Sequence, residues 1–362
     1  MERKFLSAKD NKAAKAIVRA LGRWYETEKD RYEFRHNRNP YRTWITEIFL
    51  QQTQINAGRE KLKVFLKRFP DVKTLAAGPI DDVLTAFRGM GYYSRARNMF
   101  RAAQYVMANH AATMPVTYSD LKKIPGIGHY TAAIIASIHN NETVLANDAN
   151  HARVLSRLYS IEHAQGSPAF AALVHELAAP LFKAGMTPGD LNEALMQWGQ
   201  NICKKNPRCE ACFAREYCAA YAEKTQQTYP VKKARAQAFD VEWTMLVCRR
   251  GSKYQVFEAG RSFPFLKGEL MFPGFLELPP HKKELATPER LPSALRRKVG
   301  KIAAALPVDF RHAITRYKIA VKLVIMNDGI GGGEFFTPAE LRARCHSSLM
   351  QKALSRLDKL EF

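Results

Sequence analysis

No stretch of 18 consecutive apolar residues occurs in this chain, so nothing in the sequence reads as a bilayer-spanning segment. The N-terminal stretch MERKFLSAKDNKAAKAIVRAL has no apolar core of secretory-leader type. It reads as an exposed basic segment running into an amphipathic helix. No lipidation signal is present, and no membrane partner is expected. Acidic side chains are few: 34 Asp and Glu against 56 Lys and Arg leave a formal charge of +22 over 362 residues. A surplus of that size repels itself in the free protein and makes sense if the working partner is a polyanion. Cysteine is scarce too, six in all, and outside one short segment it occurs only singly. With nothing else that looks secreted, a disulfide framework is disfavoured and a reducing, cytoplasmic setting is expected.

The exception is NICKKNPRCEACFAREYC, which holds Cys203, Cys209, Cys212 and Cys218 within 16 residues. The spacing is C-x5-C-x2-C-x5-C. Four thiolates on one short loop can wrap a single compact inorganic centre, and they suit either zinc or a [4Fe–4S] cluster. Zinc sites usually come as two C-x2-C knuckles, and only the central pair has that form. The uneven spacing favours the iron–sulfur cluster.

Composition divides the chain. Residues 10 to about 222 read as helix after helix, with apolar side chains at 3–4 spacing and Pro or Gly between them. From Thr225 the texture turns polar and basic, as in a linker. Beyond it come strand-like runs (VEWTMLVC, KYQVFEA, ELMFPGFLEL, YKIAVKLVIM), a helix-like stretch SALRRKVGKIAAAL and a Gly-rich turn GIGGG. The expected domains are a helical 1–224, a linker 225–238 and a smaller mixed α/β domain 239–362. Hydrophobic content of 46% is ordinary for folded domains, and no internal repeat is evident.

A second segment carries chemistry. In SDLKKIPGIGHYTAAIIASIH, a short helix is expected to end at Pro125, with Gly126 and Gly128 turning the chain into a second helix near His129. Glycines there leave backbone N–H groups open at a helix N-terminus, which is an anion site; against DNA the anion is a phosphate. Such a contact fixes position and carries no sequence information. An ordinary helical-hairpin turn would look similar, but here it stands beside a large positive charge and a four-cysteine loop.

These features in order resemble the endonuclease III (helix–hairpin–helix) superfamily, and within it the MutY-type adenine DNA glycosylases. The resemblance is carried by NPYRTWITEIFLQQTQI at 39–55, GMGYYSRARN at 89–98, IPGIGHYTA, NDANHARVLSRL and LNEALMQWGQNIC. It implies a monomeric enzyme that removes adenine from double-stranded DNA where it is mispaired with 8-oxoguanine or guanine. In the cysteine loop the family usually has six residues between the first two cysteines, and here there are five.

The resemblance also assigns roles. Glu47, on a helix whose apolar face is Trp44, Ile45, Ile48 and Phe49, is the expected general acid that protonates adenine at N7, with a raised pKa. Asp148, at the start of a helix whose backbone donors keep it ionised, is the expected stabiliser of the oxocarbenium-like sugar. Asn150 stands beside it, and Ala149 replaces the family's usual Gly. Arg35 and Glu193 match residues of the adenine pocket, and Phe34 stands where the family usually has Trp. Gln52 and Tyr92 match residues that enter the stack beside a flipped nucleotide. Tyr130 stands where lyases of the superfamily carry a Schiff-base lysine; a phenol cannot form an imine, so the enzyme is expected to be monofunctional.

The C-terminal region resembles a MutT-like (Nudix-related) domain without its hydrolase signature. The Phe-Ser-His triplet by which the family reads 8-oxoguanine is replaced by Ile314, Thr315 and Arg316, of which Thr315 keeps a hydroxyl. Two other readings stay open at this point: a DNA-binding module without activity, and a bifunctional endonuclease III-like glycosylase/lyase.

Overall fold

The first helix shows why the N-terminal part folds as it does. α1 (Asn11–Glu28) repeats apolar side chains at helical spacing, and Ile17, Val18, Leu21 and Tyr25 are buried on one face. The computed structural model describes residues 11–31, 35, 38–50, 55–87, 90, 94–232, 238–260, 266, 268–277, 307–314, 317–326, 329–330, 332–345 and 347–359. The basic N-terminal segment and the stretch SALRRKVGKIAAAL lie outside these.

The chain divides into two compact units, Met1–Ala234 and Arg235–Phe362. In the first, α1 is followed by α2 (Pro40–Leu50), α3 (Ile55–Arg68), α4 (Val72–Ala77), α5 (Ile80–Ala86) and α6 (Ser94–His110). Next come α7 (Tyr118–Leu121), α8 (His129–His139), α9 (Ala149–Tyr159), α10 (Pro168–Phe182), α11 (Pro188–Asn201) and α12 (Ala219–Ala222). Side-chain caps start several of them: Asp71, Thr117, Asp148, Ser167 and Thr187 each accept a backbone N–H from the first turn. Pro168 and Pro188 occupy first-turn positions, where a missing N–H costs nothing.

Two apolar clusters hold this unit. One gathers α2 to α8 around Trp44, Phe49, Phe65 and Phe87. The other packs α1, α9, α10 and α11 around Leu21, Leu155, Leu181 and Trp198. Side chains buried this fully contribute about 1.5–3 kcal/mol each. The cleft-facing residues discussed below sit between these two halves, on α2 and α8 from one and on α9 and α11 from the other.

The expected linker begins differently. Tyr229 is buried, Gln165 N–H bonds the Val231 carbonyl, and Arg157 donates to the carbonyls of Gln226 and Tyr229. Residues 225–232 therefore pack as part of the helical unit. A polar, basic composition hid this, because the anchoring groups are mostly backbone carbonyls.

The second unit is a mixed sheet with helices. Its strands are β1 (Phe239–Arg250), β2 (Lys253–Glu258), β3 (Leu270–Met271), β4 (Gly274–Glu277), β5 (Phe310–Ile314), β6 (Tyr317–Met326) and β7 (Glu334–Phe336). The path runs β3-β2-β1-β6-β5, with β4 also on β1 and β7 on β2. β1 and β6 pair in parallel, from Phe239 opposite Tyr317 to Cys248 opposite Met326. Alternation along β1 sends Val241, Trp243, Met245 and Val247 into one cluster and Leu246 and Cys248 into another, so both faces are covered. α13 (Pro338–Arg344) and α14 (Ser348–Leu357) supply Leu341, Leu349, Met350 and Leu354 to the larger cluster. This is the expected α/β architecture and is consistent with a MutT-like domain. β5, β7, α13 and α14 were not expected from the sequence. α13 carried a readable signal: Thr337, Pro338 and Glu340 form a capping box with proline in the first turn.

Candidate active site

Four helices converge on one group of ionisable side chains. α2 buries Trp44, Ile45, Ile48 and Phe49 and leaves Glu47 half-buried at the edge of that apolar face. Burial pushes Glu47 up to about 7. Repulsion from Glu193 and Asp148 adds to that rise, while a hydrogen bond from Tyr130 and the charge of Arg35 oppose it. Tyr130, in the first turn of α8, donates its hydroxyl to Glu47 Oε2 at 2.7 Å and also lies 3.3 Å from Met196 Sδ. Burial, then the nearby carboxylates, hold its phenol well above the usual range.

Asp148 is the N-cap of α9. Its Oδ1 accepts the backbone N–H groups of Asn150 and His151, each at 2.8 Å. Its Oδ2 accepts Asn150 Nδ2 at 2.8 Å. The ring of His151 reaches the same carboxylate, with Nδ1 2.7 Å from Oδ1. Burial alone would raise Asp148, but these bonds outweigh it and hold it below the ordinary carboxylate range. α11 can lie this close to α9 because position 199 is glycine: a Cβ there would meet Asn150 Cβ at 2.7 Å.

α11 completes the pocket with Glu193, which is buried. Tyr25 on α1 donates to it at 2.7 Å, Arg38 Nη2 at 3.0 Å, and Arg35 Nε lies 3.6 Å away. Arg35 also donates to Gln197 Oε1 at 2.6 Å and stacks over the Tyr25 ring, 5.5 Å from its centre. Of the residues expected at the site, Glu47, Tyr130, Asp148, Asn150, Arg35 and Glu193 are thus brought together. Gln52, Tyr92 and Thr315, with Phe34 and Arg316, lie outside the described residues. Sequence reasoning missed Tyr25, Arg38, His151, Asn192 and Gln197. Only His151 gave a local signal, by falling on the apolar stripe of α9.

The helical hairpin lies on the same α8. α7 ends at Leu121, four residues before the expected Pro125, and the intervening turn is closed by Ile127 N–H to the Ile124 carbonyl at 3.1 Å. Gly126 has φ of +85° and its Cα faces Asn98, whose Cβ would be 2.7 Å from any added methyl. Gly128 is the N-cap of α8, with open space where a side chain would stand. Lys122 and Lys123 are exposed beside it. The turn therefore sets the N-terminus of α8 beside exposed Lys122 and Lys123, the latter paired with Asp120 at 2.8 Å, an arrangement suited to a phosphate.

Cys203, Cys209, Cys212 and Cys218 are free, half-buried thiols lining one cavity with Val154, Arg157 and Trp198. Burial raises Cys209 and Cys212, and pushes Cys218 up to about 12. Buried Arg157 sits against them: its Nη1 is 3.5 Å from Cys203 Sγ and 2.5 Å from the Lys204 carbonyl, and Nη2 donates to Lys205 O at 3.0 Å. Among the described residues, no three histidine, cysteine or acidic side chains are drawn tightly enough together to hold a single metal ion. The thiols surround a space rather than meeting at a point.

The profile of the HhH-GPD superfamily base excision DNA repair proteins matches residues 45–180. That span runs from α2 through the hairpin and Asp148 into α10. An adenine DNA glycosylase of Buchnera aphidicola subsp. Schizaphis graminum is 30% identical over 258 residues, covering 70% of this chain and 73% of the relative. The chain belongs to the adenine DNA glycosylase family of the HhH-GPD superfamily. A second family member, from Buchnera aphidicola subsp. Baizongia pistaciae, is 37% identical over 186 residues, 51% of this chain and 52% of that protein. The human adenine DNA glycosylase is 31% identical over 229 residues, 60% of this chain and 42% of its own. The chain thus spans about half the length, or less, of these last two relatives. Among solved structures, a thermostable thymine-DNA glycosylase superposes with a TM-score of 0.52 at 23% identity, over 59% of this chain and 98% of its own, a likeness of fold. No described helix is long and apolar enough to cross a membrane.

Proposed function

We propose that this protein is a monofunctional DNA N-glycosylase that removes adenine mispaired with 8-oxoguanine or guanine in double-stranded DNA. One observation carries the reading. Two carboxylates lie near enough to repel each other but stand in opposite electrostatic states, Glu47 raised to about 7 and Asp148 lowered. Splitting a glycosidic bond needs such a pair. With its pKa at about 7, Glu47 holds a proton in roughly half of the molecules at neutral pH, ready to give to the leaving purine. Asp148 keeps its charge to face the cationic sugar. Glu193, held by Tyr25, Arg35 and Arg38, offers a fixed polar wall for an extruded base. Tyr130 hands its hydroxyl hydrogen to Glu47 and provides no amine, which favours hydrolysis without strand cleavage. Exposed Lys122 and Lys123 beside the N-terminus of α8, and the net charge of +22, supply sequence-independent grip on phosphates.

Cys203, Cys209, Cys212 and Cys218 fit a [4Fe–4S] cluster better than one zinc ion, because they surround a cavity instead of converging. Burial makes lone thiolates unfavourable there, so a cationic iron centre would compensate them. When bound, the cluster would supply cross-linking of the loop; Arg157 would hold that loop against α9 through Lys204 and Lys205. Iron analysis of purified protein should approach four per chain, with a yellow-brown colour; a colourless, zinc-loaded, active protein overturns this part.

The test of activity is single-turnover release of adenine from duplexes carrying it opposite each normal base and 8-oxoguanine. Release opposite 8-oxoguanine and guanine, without borohydride-trappable intermediate, is the expected result. Binding without release would instead indicate a DNA-binding module, and trapping a lyase.

A further inference from the structure

His151 has no part in the reaction described above, and its surroundings are unusual. It lies in the first turn of α9, on the stripe that continues through Val154, Leu155 and Leu158, where a helix of this pattern calls for an apolar side chain. Its ring is fully buried. Both ring nitrogens face oxygens. Nε2 is 2.8 Å from the backbone carbonyl of Asn192 on α11, and Nδ1 is 2.7 Å from Asp148 Oδ1.

A carbonyl oxygen only accepts, so Nε2 must carry a hydrogen. A neutral ring would then point the bare lone pair of Nδ1 at a carboxylate oxygen 2.7 Å away, which is repulsive. A proton must lie between them. Oδ1 already accepts two backbone N–H groups, those of Asn150 and His151, and such bonds favour the ionised carboxylate. The shared proton therefore belongs to the ring. The ionisable groups around the pair are Glu47 on α2, Tyr130 on α8 and Arg153 on α9, each of which interacts with the Asp148 carboxylate.

We infer that His151 is a positioning residue for Asp148: as a doubly protonated imidazolium it clamps Oδ1 and leaves Oδ2 as the oxygen presented to the sugar. The consequence for catalysis rests on the glycosylase reading; the pairing itself does not. The two oxygens of Asp148 are unequal in the structure. Among the described residues, Oδ1 has three donors and Oδ2 has one, the side-chain amide of Asn150. The buried charge pair fixes the rotation of the carboxylate and widens the range of pH over which it stays ionised. Removing the imidazolium takes away an opposite charge in direct contact, so protonation of Asp148 should move to higher pH and the low-pH loss of activity with it.

The experiment uses the full-length protein and the variants His151→Val and His151→Gln. Valine suits the apolar stripe and abolishes the pairing; glutamine keeps one N–H donor without the charge. Ring nitrogen NMR of histidine-labelled protein, with His151→Gln to assign the signal, should show both nitrogens of His151 protonated at neutral pH. The acid limb of single-turnover excision should move up by roughly one to three pH units in His151→Val. It should move less in His151→Gln, and the alkaline limb should stay in place in both. A neutral His151 ring overturns the pairing. An acid limb unchanged in both folded variants, checked by circular dichroism, overturns the positioning role. Should the wild type release no adenine at all, the glycosylase reading fails instead, and the NMR result alone decides the pairing.

Discussion

Glu47 and Asp148 are both acids at helix surfaces facing one cleft, yet the two ends of that cleft treat a negative charge in opposite ways. Glu47 emerges in the last turns of α2, behind Trp44, Ile45, Ile48 and Phe49, and receives one hydroxyl donor. Asp148 precedes the first turn of α9 and receives two backbone amides, a side-chain amide and an imidazole. Burial of Glu47 and the His151 side chain beside Asp148 supply most of this difference, and position along a helix adds to it. A helix start offers unpaired N–H groups and the positive end of the dipole, whereas a site near the other end offers neither. The opposite states of the two acids, on which the proposed division of labour rests, are thus set by their surroundings before any substrate enters.

The contrast is tested most severely by removing each function in turn. Glu47→Gln keeps the shape but cannot deliver a proton, and should lower single-turnover excision by ~10²–10⁴ while leaving duplex affinity nearly intact. Asp148→Asn should be comparably damaging. Near-wild-type excision in either variant would show that the two acids do not divide the work. A finer test uses pH. Glu47 is needed protonated, so its contribution is complete only well below pH 7 and is lost as pH rises through about 7. The Tyr130 hydrogen bond favours the charged form of Glu47, so Tyr130→Phe should move the alkaline limb upward, by roughly one pH unit for one bond to a charged group. A downward shift would reverse the assignment of donor and acceptor. The smallest expected effect is that of Asn150→Ala, which removes the donor to Asp148 Oδ2. A loss of about 1.5 kcal/mol, near tenfold in rate, is expected at neutral pH. An effect as large as that of Asp148→Asn would mean that Asn150 acts on the substrate itself.

How much of this was legible in the sequence follows from the range of each interaction. Asp148 and Asn150 are two residues apart, and their bonds are those of any capped helix, so both could be placed from the chain alone. Glu47 was picked out by the family resemblance, and the apolar residues around it on α2 argued only for its raised pKa. Their partners across the cleft were not derivable, since Tyr25 meets Glu193 only because α1 packs on α11. His151 was passed over because a histidine three residues after a cap reads as filler until the carbonyl of Asn192 is seen at its far side. In the second unit the strongly apolar runs became β1, β2 and β6, while Phe310–Ile314 alternates too weakly to announce β5. The parallel pairing of β1 with β6 joins segments separated by most of that unit, which no local pattern encodes.

The bond from Tyr25 to Glu193 spans 168 residues of chain. During synthesis at roughly 5–20 residues per second, α1 would emerge about 8–34 seconds before α11, which together with α10 buries it. Through that interval Ile17, Val18 and Leu21 would stand as an unclaimed apolar stripe on a nascent polypeptide, open to chaperones and to mispairing. Arrival of α11 after α10 would then bring Glu193 to the candidate site and finish the shelter of the first helix, making completion of the site among the last steps in the birth of this unit.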